Sequence, residues 1–254
     1  MPWPARTRSV TDGSLFGRLQ RAAQERLSVG DDERRQAELR GLLLSDLRSK
    51  DDEARAAFDM EFGAQLTAFA DATTRALDVW AKFRDTIQDT DERRVVVTAV
   101  AFTAINQSIS SYKLFMCGYT VASGALFRQV LEGVSLAFLC SAKSLTVLDR
   151  FLDNTYSPNR AVADLAKHAK KVHVNRAAFQ TLADQYNFYH KYAHLTRLTI
   201  AAGANFSLGG LPNVGAHFDP GKLKEYGKEV RSRVSFAKTL PNFVRGVAQN
   251  VAMW

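Results

Sequence analysis

The sequence predicts an all-α protein built as a multi-helix bundle, on three observations. Apolar residues recur three or four positions apart through most of the 254-residue chain, which is the period of an amphipathic helix. Helix start signals precede several of these stretches, such as SPNR at 157–160, with Pro158 at the first helical position. The one long interruption is the glycine-rich segment 199–221, where we expect a loop or a small hairpin.

The chain divides into three regions by composition. We expect a loose tail over 1–13, a charged helical region over 14–92 and a helical core domain over 93–254, and the last two can form one domain. Apolar residues three or four apart predict one long amphipathic helix over 51–88. DTDE at 89–92 signals the next helix, because an acidic cap is followed three residues later by glutamate.

The most apolar pair of helices, 93–116 and 119–142, should form the centre of the core. The uncharged run 95–112 carries amide and hydroxyl side chains in its second half. A membrane span needs about 20 mostly apolar residues. We therefore interpret 95–112 as a buried helix of a protein that spans no membrane.

Three further helices complete the bundle. One follows SPNR, and another runs from about Asn175 to Leu195. The last starts near Lys222 and should be kinked or broken at Pro241, because proline lacks a backbone N–H and its ring clashes with the preceding turn.

Positive charge is concentrated in the second part of the chain. Residues 1–94 hold 16 Lys and Arg against 18 Asp and Glu, whereas residues 95–254 hold 18 against 8, a net charge of +10. The cations recur in two segments, 159–176 and 222–233. Such segments attract nucleic acid through counterion release, although solvated helix faces carry similar charges. The candidate nucleic-acid-binding residues are Arg160, Lys167, Lys170, Lys171, Arg176, Lys224, Lys228 and Arg231, and the second segment also contains Lys222 and Arg233.

A polar stripe crosses the otherwise apolar helix at 121–140. One narrow face carries Gly124, Arg128, Glu132 and Ser135. Arg and Glu are rarely buried unless paired, because removing a charge from water is costly. Arg128 and Glu132 are four residues apart and can pair directly. Alternatively they line a cleft, where Arg128 holds an anion and Glu132 orients Arg128 or an imidazole.

The stretch YNFYHKYAHLT at 186–196 contains two of the five histidines. His190 and His194 are four residues apart, but lysine follows His190 where a zinc-binding helix would carry glutamate, and no third ligand is near. We therefore expect no metal and no other cofactor. Histidines at the edge of a helix usually only donate to a carbonyl or carboxylate. The functional alternative is acid–base catalysis by His194 with His190 beside it and a hydroxyl from Tyr189 or Tyr192.

Two features indicate a cytoplasmic location. The two cysteines, Cys117 and Cys140, lie in apolar surroundings, which suits buried thiols in a reducing compartment better than a disulfide. The basic N-terminal stretch is not followed by the apolar region of a signal peptide.

Two segments carry a family resemblance. ASGALFRQVLEGVSLAFLC resembles the R-x3-E core helix of a family of uncharacterised, all-helical bacterial proteins, in which a later helix ends in Tyr-x3-Ser-x3-His-Pro-Ser. YNFYHKYAHLT is similar to that ending, with histidine at the serine position and Leu-Thr in place of Pro-Ser. The resemblance covers roughly 95–200, and it implies that one polar set meets in space. That set is Arg128, Glu132, Tyr186 and His194.

A looser similarity, at the level of fold, is to the HEPN helical domains. Many of these are metal-independent ribonucleases of toxin and phage-defence systems, marked by an R-x4-6-H motif. None of the five histidines here has an arginine at that distance, so the similarity depends on helical fold and positive charge alone.

Two functions from different classes agree with these features. The first is a bacterial helical protein that binds nucleic acid, preferentially RNA, or cleaves it without a metal. His194 would then move the proton, Arg128 would stabilise the phosphorane-like charge, and Glu132 would orient one of them. The second is a non-catalytic interaction or dimerisation module, in which a buried Arg128–Glu132–His194 network fixes helix register. A small-molecule pocket lined by the same residues is a third interpretation.

Overall fold

The computed structural model describes residues 29–172 and 175–254, apart from the side chains at 29–33, 176, 208 and 211. The predicted tail at 1–13 and the first part of the predicted charged helical region, 14–28, lie outside the described residues. Within them the chain forms nine α-helices, which confirms the all-α, multi-helix prediction. They are α1 (Val29–Leu47), α2 (Asp52–Asp85), α3 (Glu92–Met116), α4 (Thr120–Ser141), α5 (Val147–Leu152), α6 (Ala161–His168), α7 (Arg176–His190), α8 (Arg197–Gly203) and α9 (Leu223–Ala252).

The glycine-rich segment contains a small hairpin. Strand β1 (Ala204–Asn205) pairs antiparallel with β2 (Leu211–Pro212). The buried carboxylate of Asp219 holds this region together, because it accepts hydrogen bonds from the backbone N–H groups of Phe206 (2.6 Å), Ser207 (3.2 Å) and Gly221 (2.9 Å). Its charge is thus solvated by amides in place of water.

One hydrophobic core joins the long helices. Helices α3 and α4 pack along each other, and α9 packs on α2. The α3–α4 contact is close where two serines face each other. The Ser111 hydroxyl donates to the Ser123 carbonyl (2.8 Å), and the Ser123 hydroxyl donates to the Ser111 carbonyl (2.6 Å). The apolar stripe of α2 enters the same core through Phe58, Phe62, Phe69, Ala72 and Ala76.

Three predicted helix boundaries are wrong, two for local reasons and the third because of tertiary packing. The cap of α3 is Asp91, which accepts from the N–H of Arg94 (3.1 Å), and not the earlier acidic residue of DTDE. Helix α7 ends at His190 and not near Leu195, because Thr196 and Thr199 form a reciprocal capping box that starts α8. The box has threonine where the sequence signal has Glu or Gln.

Helix α9 runs through Pro241 without a break, so the third correction is that no helix boundary lies at this proline. An interior proline costs a helix about 3 kcal/mol. Pro241 is buried, and its neighbours Leu240 and Val244 are fully buried in the core. Tertiary packing on both sides of the proline offsets its local cost.

Of the described helices, α3 alone is long and apolar enough to cross a membrane by length and composition. Its residues Val97, Ala101, Ala104 and Ile105 are fully buried against the other helices. In the most apolar window of α3, 44% of the residues are buried, so the interpretation of 95–112 as a buried helix is correct for one face of the helix.

Candidate functional site

Arg128 and Glu132 pair directly on α4. The Arg128 Nε–Glu132 Oε1 distance is 3.0 Å and the Nη2–Oε1 distance is 2.8 Å. The pair is largely enclosed, with 18% and 12% of the two side chains exposed. Burial acts to lower the pKa of Arg128, but the Glu132 carboxylate outweighs it and holds that pKa above its ordinary value. Arg128 is therefore a permanent cation at this position.

Tyr186 of α7 completes the pair into a three-residue cluster. Its hydroxyl donates to Glu132 Oε1 (3.2 Å) and lies 3.4 Å from the carbonyl of Asn159. The Arg128 guanidinium lies over the Tyr186 ring, 5.7 Å from its centroid. Burial is the main reason that the pKa of Tyr186 is raised, so its hydroxyl stays protonated and keeps donating. We call this set the Arg128–Glu132–Tyr186 cluster.

The two histidines continue from Tyr186 toward solvent. The His190 ring lies 6.0 Å from the Tyr186 ring, and the His194 ring lies 4.7 Å from that of His190. Both histidines are exposed. In the described part of the chain neither one hydrogen-bonds to Arg128 or Glu132. The predicted buried Arg–Glu–His network is thus wrong in its third member. Of the set that the family resemblance implies, Tyr186 meets Arg128 and Glu132, whereas His194 does not.

Tyr189 lies apart from this line, on the core side of α7. Only 1% of its surface is exposed, and its ring packs on Phe127 with centroids 4.6 Å apart. Burial raises the pKa of Tyr189, which makes its hydroxyl a poor proton donor to a substrate.

A cleft of about 730 Å³ opens beside the cluster, between α3, α4 and α5. Four of its lining residues carry a charged or amide side chain: Gln107, Arg128, Gln129 and Glu132. The apolar lining residues include Phe151, which is half-buried. The remaining lining residues are Val96, Ala99, Val100, Thr103, Ala125, Gly133, Leu136, Pro158 and Ala193. We call this space the Arg128 cleft.

The predicted basic residues are exposed wherever their side chains are described. This holds for Arg160, Lys167, Lys170, Lys171, Lys224, Lys228 and Arg231, whereas the side chain of Arg176 lies outside the described residues. Two of them are engaged locally: Lys167 Nζ lies 2.9 Å from Asp164, and Lys228 Nζ lies 2.8 Å from Glu225. Lys170, Lys171 and Lys224 form no ion pair within residues 29–172 and 175–254.

Two cations of the second basic segment are not on the surface. Lys222 is buried and donates to the carbonyl of Ala202 (2.7 Å). Arg233 is fully buried among three aromatic rings. Its guanidinium lies 4.7 Å from the ring centroid of Phe127, 5.2 Å from that of Phe115 and 5.4 Å from that of Tyr189. The segment is therefore less basic at its surface than its composition indicates.

The enclosure of Arg233 is the main feature that the sequence analysis missed. Arg233 Nη1 donates to the Ser111 hydroxyl (2.5 Å), and Nη2 lies 3.4 Å from Glu229 Oε1. A signal was present, because Arg233 continues the buried stripe of α9, seven residues after Tyr226 and four before Ala237. Helical periodicity would have placed it on the core face.

The described part of the chain holds no group of three or more His, Cys, Asp or Glu side chains that could bind a metal ion. His173 lies outside the residues so described. Comparison with known proteins yields no relative: no family model matches the chain, and no curated protein and no solved structure is significantly similar to it.

Proposed function

We propose that this chain binds single-stranded nucleic acid, preferentially RNA, in the Arg128 cleft. The supporting observation is that the cleft combines the three kinds of group that recognise a nucleotide. A guanidinium binds phosphate, as Arg128 would. The amides of Gln107 and Gln129 can hydrogen-bond to a base edge, and the ring of Phe151 can stack on a base face.

Exposed cations beside the cleft support the same proposal. Pro158 lines the cleft, and Arg160 lies two residues further along the chain. Lys170 and Lys171 follow at the end of α6. A strand leaving the cleft along this surface would displace counterions from its phosphates, and its affinity would fall steeply with salt.

The catalytic form of the proposal is cleavage of RNA without a metal. The 2′-oxygen would attack the neighbouring phosphorus while the bond from phosphorus to the 5′-oxygen breaks. His194 would accept the proton of the 2′-hydroxyl, and a protonated His190 would supply one to the 5′-oxygen. Arg128, oriented by Glu132, would balance the charge of the phosphorane-like intermediate. His194 is next to Ala193, which lines the cleft.

We also propose that the protein is cytoplasmic and bacterial, with a role in a toxin or phage-defence system. The resemblance to the R-x3-E family and the looser similarity to HEPN domains support this part of the proposal.

Binding is tested with a short fluorescent RNA, and with DNA of the same sequence, by anisotropy in EDTA at increasing salt. Phe151→Ala removes the proposed stacking surface and should weaken RNA binding about tenfold, since one stacked base contributes about 1–3 kcal/mol. Leu152→Ala is the matched control, because Leu152 is the next residue of α5, is exposed and does not line the cleft. Equal affinities for wild type and Phe151→Ala would refute the binding site.

Cleavage is read from the same mixtures with end-labelled RNA. His194→Ala should abolish product formation and leave anisotropy nearly unchanged. If wild type binds RNA but produces no fragment, the protein is a binding module and the catalytic form is wrong.

A second candidate function, the non-catalytic interaction module, has its own supporting observation. Glu132 accepts hydrogen bonds from both Arg128 and Tyr186, so the cluster is satisfied without any ligand. Under this alternative RNA does not bind at low salt, and the chain sediments as a dimer.

A further inference from the structure

A second cavity, of about 290 Å³, lies between α2 and α3 and shares no lining residue with the Arg128 cleft. It spans the interruption of α2 at Phe62, whose φ of −128° and ψ of 17° are not helical. The volume is near the lower end of ligand cavities, which begin at about 300 Å³. The walls are mostly apolar and include Leu66, Phe69, Leu77, Ile109 and Met116. We call it the Tyr112 cavity.

Two polar atoms of the lining residues are buried without a hydrogen-bond partner. The first is the hydroxyl of Tyr112, a residue that is only 2% exposed. Its ring stacks on Phe69 with centroids 3.9 Å apart, which fixes the position of the hydroxyl. The second is Oδ1 of Asp59, although the Asp59 side chain as a whole is 43% exposed and its other oxygen lies 4.0 Å from Arg55 Nε. A buried hydroxyl left unpaired is unfavourable, so a molecule that pairs with the Tyr112 hydroxyl gains affinity from that bond, and a second bond to Asp59 Oδ1 adds to it.

We propose that the Tyr112 cavity binds a small alcohol or phenol with an apolar body. A hydroxyl group can donate to Asp59 Oδ1 and accept from the Tyr112 hydroxyl, so that both atoms are satisfied by one group. An amine is disfavoured for two reasons. As an ammonium it offers no acceptor to the Tyr112 hydroxyl, and it would join two cations, Arg55 and Lys113, that already line the cavity. A pure hydrocarbon leaves both polar atoms unpaired.

Cys117 provides a reporter, because it lines the cavity and is only partly buried. The other cysteine, Cys140, is fully buried, and burial raises its pKa to about 12. A thiol reagent such as DTNB therefore reacts with Cys117 in the folded protein, and an occupied cavity should slow that reaction.

The experiment compares three probes of similar size: 2-phenylethanol, 2-phenylethylamine and ethylbenzene. Protection of Cys117 from DTNB is titrated with each probe, and binding is measured in parallel by calorimetry. We expect 2-phenylethanol to bind about tenfold more tightly than either of the others, which corresponds to about one hydrogen bond's net contribution. Equal or tighter binding of ethylbenzene or of the amine would overturn the proposal, as would the absence of protection by all three.

Tyr112→Phe is the decisive variant. It keeps the ring and its stacking, so the chain should fold, but the preference for the alcohol over ethylbenzene should disappear. Tyr226→Phe is the matched control, because Tyr226 is also buried in the core and does not line the cavity. A Tyr112→Phe variant that keeps the wild-type preference, or a Tyr226→Phe variant that loses it, would refute the site.

Discussion

Replacing Arg233 by methionine tests whether a buried charge stabilises this bundle. The guanidinium has no exposed surface, and its hydrogen bonds are few. The hydrogen bond from Nη1 to the Ser111 hydroxyl is short, at 2.5 Å, and the contact of Nη2 with Glu229 is long, at 3.4 Å. Nε is buried and has no hydrogen-bond partner. Contacts with three aromatic rings contribute about 0.5–2 kcal/mol each. Removing the guanidinium from water costs several kcal/mol, so these attractions and the desolvation nearly cancel.

We therefore expect Arg233→Met to change the free energy of unfolding by less than about 1 kcal/mol, or to raise it. Methionine keeps an unbranched apolar chain against the three rings. Neither former partner is left unsatisfied, since the Ser111 hydroxyl still donates to the Ser123 carbonyl and Glu229 retains access to water. Arg233→Ala should instead lose about 3–5 kcal/mol, because it leaves a cavity among the rings.

Urea unfolding followed by circular dichroism gives both numbers, provided that the slope of the transition is unchanged between variants. A loss for Arg233→Met as large as the loss for Arg233→Ala would refute this reasoning. The guanidinium itself would then be a net source of stability.

Three further predictions concern other parts of the structure. Glu132→Ala should lower the free energy of unfolding by about 2–3 kcal/mol, which is less than for a fully buried pair because Arg128 retains 18% exposure. Glu132→Gln should recover part of this loss, because the amide oxygen is again a hydrogen-bond acceptor. An unchanged urea midpoint for Glu132→Ala would contradict the structural role of the cluster. Gly124→Ala should lower the free energy of unfolding by about 1–3 kcal/mol, because an added Cβ would lie 2.5 Å from the Tyr192 ring. Gly63 has open space around it, so the control Gly63→Ala should not lower the melting temperature. Burial alone would raise the pKa of Asp219, but hydrogen bonds from Ser207 and backbone N–H groups hold it below its usual value. The carboxylate thus stabilises the fold fully above its unfolded pKa of about 3.9 and loses this effect as the pH falls through the lower folded pKa. Asp219→Asn should make the free energy of unfolding less dependent on pH over that acid range. An identical acid transition in wild type and variant would contradict this role of the Asp219 carboxylate.

Helix positions could be predicted because they depend on local spacing. The periods of apolar residues and the helix start signals act within a few residues, and they placed α2, α3, α4 and the start of α7 closely. Pro241 shows the limit of such rules, since what keeps α9 continuous is burial against other helices.

Helical geometry could predict only the part of the site that lies on one helix, whereas the inclusion of Tyr186 followed from the family resemblance. Arg128 and Glu132 are four residues apart, so their pairing follows from helical geometry. Tyr186 is 54 residues from Glu132, and only the docking of α7 on α4 decides that its hydroxyl, and not His194, meets the carboxylate. Arg233 was misplaced because its segment was interpreted by charge, whereas its position in the apolar period of α9 determines its burial.

The reciprocal Ser111–Ser123 hydrogen bonds have a consequence for how the chain folds. They join two helices that are separated by a single short turn, so this hairpin closes with little loss of chain entropy and can form early. The Ser111 hydroxyl also receives Arg233, which is 122 residues away in sequence. We expect that guanidinium to stay hydrated until α9 docks, and the slowest step of folding to be the one that dehydrates it.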